Sequence, residues 1–341
     1  ETIRSFEKLD LITFPILAVG VGLLCAFLVQ GRIIWWSTPW LGGALAASVG
    51  LIGTAFLIEH YRRNPMLHTR WIGSRNLIKF ALTGALVRVL TSEQNFGASG
   101  LLSATGLVND QLVTYYAVLS FATLMGAVLS IARLDPTDLR RPILVALAVI
   151  TVGAFLDTHS GLRTGPVNLY FSQGAIAFAA VYVMGPLLLE GLLRAISRGP
   201  AYMVSFLAVF SLSQTIGGLA GVAALSAFHT LRTKAHLMTL GQSLSTTNPE
   251  LAQGINAIAA SLTGSIADPA LRSATAAGQV VREAAREATI LAFNDVFVVI
   301  GSLSAIAFVA MFARWVYDRR RGINPLAREL EVLQKLRAQN Q

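Results

Sequence analysis

The chain has 341 residues, of which 54% are hydrophobic and 13% are charged, and its mean hydropathy is +0.60. Soluble domains carry about 25% charged residues, so this composition excludes an ordinary water-soluble particle and favours the bilayer as solvent. The net charge is +9, but the basic residues lie between apolar stretches, where they set orientation in a membrane, so no nucleic-acid partner is expected.

Eight apolar segments are long enough to cross a bilayer, which takes about 20 residues. They predict an all-α polytopic membrane protein of about eight transmembrane helices. The predicted spans are 11–30, 38–58, 77–98, 112–132, 142–157, 168–190, 201–228 and 289–315. The third span is the least apolar, and its polar residues are Arg88, Glu93, Gln94 and Asn95.

Arginine residues in the short connections predict the orientation of these spans, because cytoplasmic loops carry an excess of Lys and Arg. Nine Arg residues lie in one set of connections, 59–76, 133–141 and 191–200. Two lie in the opposite set, 30–40, 99–111 and 157–167. The first set is therefore expected in the cytoplasm, and with eight spans both ends of the chain are expected there as well.

Residues 229–288 form a long connection, which this orientation places on the periplasmic side. Pro249 and Pro269, preceded by Asn248 and Asp268, are typical of first helical positions and predict two short amphipathic helices, the second leading into the last span. The connection is interpreted either as a solvated cap over a transport path or as a docking surface for a periplasmic partner.

The sequences of both chain ends lead to two further predictions. The chain begins with Glu1 rather than Met, so we expect it to be a piece of a longer polypeptide. Residues 318–341 form a basic tail, in which Leu recurs at helical spacing and predicts a short helix at the inner membrane surface. These leucines are Leu326, Leu330, Leu333 and Leu336.

Arg88 and Glu93 are the first candidate site residues, because an ionisable side chain deep in a span usually faces a bundle interior or a water-filled cavity. Five positions separate them, about 140° round a helix, so they are poorly placed to pair with each other. They either line a substrate or proton path, with Gln94 and Asn95 beside them, or form structural ion pairs with other helices. Glu93 alternatively lies near the outer interface.

Weaker candidates lie in the last three spans. Asp295 is interpreted as a proton-titrating carboxylate or, alternatively, as a residue that caps its helix or binds the neighbouring loop. Gln173 and Gln214 offer hydrogen bonds without the cost of a charge, and Pro186 is expected to kink the sixth span. The glycines expected to permit close helix packing are Gly217, Gly218 and Gly221.

Sequence patterns of catalysis and metal binding are absent. The five His residues lack metal-ligand spacing, and the sequence contains no nucleophile elbow, no P-loop and no H-E-x-x-H. We therefore expect no enzymatic activity, no cofactor and no metal. The single cysteine, Cys25, cannot form a disulfide within the chain.

Several short motifs that resemble the motifs of one protein family occur in a consistent order along the whole chain. They are Asn64–Pro65 with Gly73–Asn76, Leu134–Asp135 with Arg140–Arg141, Gln173–Gly174 with Pro186, Gln214–Gly221, Arg232 with His236, Leu240 and Asn248–Pro249, and Asn294–Phe297. In this order they resemble the 14-spanner drug:proton antiporter family of the major facilitator superfamily. Gln214 stands where Arg is common in that family.

The resemblance implies a division of the chain. Two extra linker helices would occupy 1–60, a cytoplasmic link 61–76, the first five helices of the C-terminal domain 77–228, a periplasmic loop 229–288, the last helix 289–317 and a cytoplasmic tail 318–341. An N-terminal six-helix half is then expected elsewhere, and the family's usual proton-coupling acids belong to it. The chain is therefore not expected to transport alone.

The resemblance also implies an activity, proton-coupled efflux of drugs or amphiphilic organic compounds by alternating access in a bacterial inner membrane. Protons, membrane lipid and, in Gram-negative cells, a periplasmic adaptor and an outer-membrane channel would be its partners. Arg88, Glu93, Gln94 and Asn95 depart from the apolar run of the relatives and favour an amphiphilic or anionic substrate.

Three alternatives remain open from the sequence. One is a non-transporting membrane scaffold or subunit, in which Arg88 forms a structural pair. Another is an exporter of one dedicated organic anion. The third, a membrane enzyme that acts on lipid, needs convergent acid, base or metal ligands, which the sequence does not offer.

Overall fold

The computed structural model of the chain describes residues 8–243 and 249–322 and, in the tail, residues 326, 327, 329, 331, 332 and 335. Within the described residues the chain consists of helices and connecting turns without a strand, which confirms the all-α class. Its helices are α1 (Asp10–Ile34), α2 (Pro39–Tyr61), α3 (Thr69–Ile72), α4 (Arg75–Thr91), α5 (Ser99–Ala104), α6 (Val113–Ala132), α7 (Arg140–Leu156), α8 (Pro166–Tyr182), α9 (Met184–Ile196), α10 (Tyr202–Ser243), α11 (Pro249–Ser261) and α12 (Pro269–Arg320).

Seven helical segments in the described part of the chain are long and apolar enough to cross a membrane. They are Asp10–Ile34, Pro39–Tyr61, Asn109–Ala132, Arg140–His159, Pro166–Ile196, Tyr202–Gln242 and Pro269–Arg320. The chain is therefore a multi-pass membrane protein.

The predicted span 77–98 corresponds to an interrupted helix, which is not among the seven segments that are long and apolar enough to cross a membrane. Its charged and polar side chains lower its hydropathy, and a π-helical turn at Gln94–Ala98 joins α4 to α5. This segment nevertheless packs inside the bundle, against α8, α10 and α12. Seven apolar helices and this interrupted one thus account for the eight predicted segments.

Helix packing divides the bundle into a hairpin and a six-segment body. In the hairpin α1 packs on α2, and the Ser48 hydroxyl donates to the Gly20 carbonyl at 2.7 Å. In the body the main pairs are α4 with α10, α6 with α8, and α7 with α12. The main hydrophobic core of the described residues draws its buried members from the body and none from α1 or α2.

Helix α8 ends where the sixth span was expected to kink. Pro186 has no N–H to offer to the carbonyl of Tyr182, four residues earlier, and helical hydrogen bonding breaks at Val183. The Ser130 hydroxyl of α6 donates to that carbonyl at 2.8 Å instead. A backbone acceptor inside the bundle is thereby satisfied, as the hydrocarbon environment requires.

The two longest helices extend into the expected loop 229–288, α12 as predicted and α10 further than predicted. Helix α10 has 42 residues and α12 has 52, so 229–243 and 269–288 are continuous with the spans on either side. At about 1.5 Å per residue, α12 is about 78 Å long, against a hydrocarbon core of about 30 Å. Helices begin at Pro249 and Pro269 as expected, and the Asp268 carboxylate caps α12 by accepting from the Ala270 N–H at 2.9 Å.

The segment between α2 and α4 is tied to both units of the bundle. Arg62 donates to the buried carboxylates of Asp10 and Glu59, and the second Glu59 oxygen accepts from the Leu67 N–H at 3.0 Å. The His68 N–H donates to the Ser205 hydroxyl at the start of α10 at 2.9 Å. The predicted tail helix falls mostly outside the described residues, which omit Leu330, Leu333 and Leu336, as they omit Asn248.

Candidate functional site

The π-helical turn carries Glu93 into the interior of the body. A Cβ atom on Gly97 would lie 2.9 Å from the Phe297 ring, and one on Gly100 would lie 2.5 Å from the Phe293 ring. These two glycines therefore let the turn pass close to α12. Glu93, at the start of the turn, is fully buried. π-Helical turns of this kind often occur at functional sites.

Glu93 belongs to a chain of buried polar side chains that joins three parts of the fold. Gln173 of α8 donates through Nε2 to Glu93 Oε1 at 3.0 Å and to Asp157 Oδ2, just after α7, at 2.7 Å. The Ser172 hydroxyl donates to Asp157 Oδ1 at 2.5 Å. We call Glu93, Asp157, Ser172 and Gln173 the carboxylate cluster; each is at most 3% exposed.

Three polar atoms at this cluster have no hydrogen-bond partner. They are Glu93 Oε2, Gln173 Oε1 and the hydroxyl of Tyr115 on α6. Tyr115 is fully buried and close enough to sense the charges of Glu93 and Asp157. Buried polar groups are nearly always paired, so three unpaired atoms near two carboxylates set this part of the interior apart from an ordinary helix contact.

The cluster contains two acids and no base. In the described part of the chain the ion pairs lie elsewhere, and no Lys, Arg or His pairs with Glu93 or Asp157. An ionised carboxylate in the interior is costly unless a cation compensates it. Gln173 bridges the acids with a neutral amide, so no side chain in the described part of the chain neutralises them.

The cluster is closed to solvent in this conformation. Two clefts of about 770 and 710 Å³ open elsewhere on the chain, one beside Arg140 and Trp315, the other beside Thr105 and Arg286. Neither is lined by a residue of the cluster. Access to the cluster from outside the bundle therefore requires a movement of the surrounding helices.

The other predicted residues of the third span separate from Glu93. Gln94 donates to the Gln173 backbone carbonyl at 3.2 Å and so supports the cluster, whereas Asn95 is exposed. Arg88 is exposed on α4 and lies against Gly218 of α10. In the described residues Arg88 and Glu93 form no ion pair, in keeping with their angular separation on the helix.

Gln214 and the glycines predicted to pack lie along the contact between α4 and α10. The Gln214 amide nitrogen lies beside Gly84. A Cβ on Gly217 would lie 2.9 Å from the Ala85 backbone, and one on Gly221 would lie 2.9 Å from Val89 Cα. A Cβ on Gly218 would instead meet the Arg88 side chain at 3.3 Å.

Asp295 lies apart from the carboxylate cluster and joins α12 to α10. Its carboxylate accepts from Arg232 Nε and is paired with His236 Nε2, both at 2.6 Å. Arg232 and His236 were noted in the sequence only as motif residues. The next residue towards the N-terminus, Asn294, binds the backbone of Ser160 through both ends of its amide.

Sequence reasoning found two members of the cluster, Glu93 and Gln173, and missed Asp157, Ser172 and Tyr115. Asp157 was the last residue of a predicted span, a position where a carboxylate normally reaches water. Ser172 precedes Gln173 directly, and that adjacency was the one local signal available.

Comparison with protein-family models and with curated proteins finds no match.

Proposed function

We propose that the chain is part of a proton-coupled secondary transporter that exports amphiphilic organic compounds. The observation that carries this proposal is the carboxylate cluster, two acids buried between helices and bridged by a neutral amide. Ionisable groups at membrane depth generally mark ion or substrate paths and proton relays.

Protonation of Glu93 offers a link between the proton and helix position. Ionised Glu93 only accepts hydrogen bonds and holds the Gln173 N–H, which connects the end of α4 to α8. A protonated Glu93 gains a donor, and Gln173 Oε1 is an acceptor without a partner nearby. When Glu93 takes up one proton, a hydrogen bond from its carboxyl group to Gln173 Oε1 is therefore favoured, which is a different contact between the end of α4 and α8.

The helix pairing supports a rocking mechanism. The body consists of two groups of three helices, in which α4, α6 and α7 correspond to α8, α10 and α12 in that order. If each helix takes the place of its counterpart, the pair α4·α10 becomes the pair α6·α8, and the pair α7·α12 stays the same. The contacts α7·α8 and α10·α12 break this symmetry in part. Nested repeats of three helices occur in the halves of major facilitator transporters, whose halves rock about a midplane site.

The finer parts of the proposal rest on the resemblance to the major facilitator drug:proton antiporters. They are a location in a bacterial inner membrane with both ends of the chain in the cytoplasm, an N-terminal six-helix half as partner, and docking to a periplasmic adaptor with an outer-membrane channel. The arginine distribution supports the orientation.

Reconstitution of the natural full-length gene product in liposomes tests the proposal. An imposed proton gradient should drive movement of an amphiphilic fluorescent dye, and Glu93→Gln should abolish the gradient dependence while protein abundance stays at the wild-type level. Asp110→Asn is the matched control, because Asp110 is an exposed carboxylate outside the cluster.

Transport that ignores the gradient would refute the proposal. A Glu93→Gln protein with full gradient dependence would refute the role given to the carboxylate cluster in coupling. No dye movement by the wild-type protein, together with loss of abundance or assembly in Glu93→Gln, would favour a membrane scaffold instead.

A further inference from the structure

We infer that the contact between α4 and α10 binds the anionic head of an organic substrate, so that the transported class is amphiphilic carboxylates. This inference rests on the proposed function and specifies its substrate. The site, here called the α4–α10 seam, consists of Gly84, Ala85 and Arg88 on α4 and of Gln214, Gly217 and Gly218 on α10.

Small residues bring the two helices of the seam together, and the Arg88 side chain lies across one of them. Gly217 lies against the Ala85 backbone, and Gly84 lies against Gln214. The Arg88 stem crosses over Gly218, where a Cβ would be 3.3 Å from Nε. The guanidinium is therefore held at the surface of the body rather than inside it.

The seam presents two hydrogen-bond donors that lack acceptors. Arg88 has no carboxylate within ion-pair distance in the described part of the chain. The Gln214 amide nitrogen is buried and has no partner. Since Gly84 lies beside Gln214 and Arg88 is four residues beyond Gly84, the two residues that carry these donors are about one helical turn, about 6 Å, apart along the seam.

The depth of Arg88 points to a cargo rather than to lipid head groups. Arg88 is 13 residues beyond Arg75, where α4 begins, which places it about 20 Å along a segment that crosses about 30 Å. An uncompensated cation at that depth is costly. An arriving anion removes that cost, whereas a cationic substrate would add to it.

A carboxylate head matches the two donors of the seam. A guanidinium binds a carboxylate through two parallel hydrogen bonds, and the Gln214 N–H is placed to bind a second group on the same molecule or a carboxylate oxygen. The apolar body of the substrate would then lie along the hydrocarbon-facing surface of the bundle. This arrangement selects molecules with one acidic head and one apolar body.

Binding of three matched pyrene probes to the purified full-length protein tests the inference. 1-Pyrenebutyrate, its methyl ester and 1-pyrenebutylamine share one apolar body and differ in the charge of the head. Fluorescence anisotropy should show the carboxylate binding at least about tenfold more tightly than the ester or the amine. Arg88→Gln should remove this preference, and Arg88→Lys should retain part of it.

Lys79→Gln is the matched control, because it removes one exposed cation from the same helix more than two turns away. It should leave the preference for the carboxylate unchanged. The inference is overturned if the ester or the amine binds as well as the carboxylate, if none of the three probes binds, or if Arg88→Gln keeps the preference. The last result would mean that a group other than Arg88 provides the preference for the carboxylate.

The binding measurement separates this inference from the proposed function. Carboxylate preference without gradient-driven flux would retain the anion site and reject the transporter. Gradient-driven flux of cations or neutral compounds, without carboxylate preference, would retain the transporter and reject the anion site.

Discussion

Two adjacent glycines of α10 allow the close packing of the seam to be tested by the same substitution at both positions. At Gly217 a new Cβ would lie 2.9 Å from Cα and the carbonyl oxygen of Ala85, which are backbone atoms. At Gly218 it would lie 3.3 Å from Nε of Arg88, at the far end of a flexible side chain. We expect Gly217→Ala to destabilise the bundle and Gly218→Ala to leave it unchanged or slightly more stable.

The expected difference in stability between the two variants depends on the cost of the new contact, which differs between the sites. The helix propensity of Ala contributes equally at both. Carbon atoms pack best about 3.5–4.0 Å apart, so the Gly217→Ala contact requires the helices to separate by more than about 0.5 Å. Overpacking of this kind costs about 1–3 kcal/mol. Replacing Gly by Ala within a helix gains about 1 kcal/mol at either position, so this gain cancels in the comparison.

Unfolding in sodium dodecyl sulfate, followed by far-ultraviolet circular dichroism, measures the difference. The free energy of unfolding of Gly217→Ala should be about 1–3 kcal/mol lower than that of Gly218→Ala. Equal values for the two variants, or a more stable Gly217→Ala, would show that α4 and α10 do not approach as closely as the structure places them.

Three further predictions concern single contacts. Asp295→Asn should lower the free energy of unfolding by about 1 kcal/mol in the same assay, because its pair with Arg232 is partly exposed. Ser130→Ala should cost about 1 kcal/mol, because the Tyr182 carbonyl loses its donor. Burial lowers the pKa of His68, so its neutral form is favoured in the folded state, and the stability that it contributes should be lost as the pH falls below about 6.5. His68→Gln should therefore show a smaller loss of melting temperature than wild type between about pH 7.5 and about pH 5.

Exposed residues of the same types provide the controls for these three contacts. Asp110→Asn, Ser120→Ala and His159→Gln each alter an exposed side chain and should behave as wild type. If a variant matches its control, the contact in question does not contribute to stability. For His68 the decisive observation is the pH dependence, and an unchanged dependence in His68→Gln would assign the acid sensitivity to other groups.

The sequence predicts the fold better than the site, because the two depend on different kinds of information. Hydrophobic length and proline position are local, and they predicted the all-α class and the helix starts at Pro249 and Pro269. The continuation of α10 to Ser243 was missed because 229–243 contains charged residues, which exclude a span but not a helix. Ala, Leu and Lys there favour helix, and no Gly or Pro interrupts it before Gly241.

The carboxylate cluster could be predicted only in part, because its contacts join residues far apart in the sequence. Glu93 and Gln173 were noticed as polar residues within spans, but their separation of 80 residues gives no sign that they touch. Asp157 was overlooked because a carboxylate at a helix end is ordinarily solvated. Here the turn after α7 brings it back under α8, where Ser172 and Gln173 cover it.

The identity of the bridging residue indicates what the cluster can do. A Lys or Arg at position 173 would neutralise one carboxylate permanently and leave a fixed ion pair. Gln173 gives both of the hydrogen bonds of its amide nitrogen to the two acids and leaves their charge uncompensated. The protonation state of Glu93 and Asp157 therefore determines both the charge of the interior and the hydrogen bonds that join α4, α7 and α8. Under the proposed function, this arrangement would tie helix position to proton occupancy, which is the property that coupled transport requires.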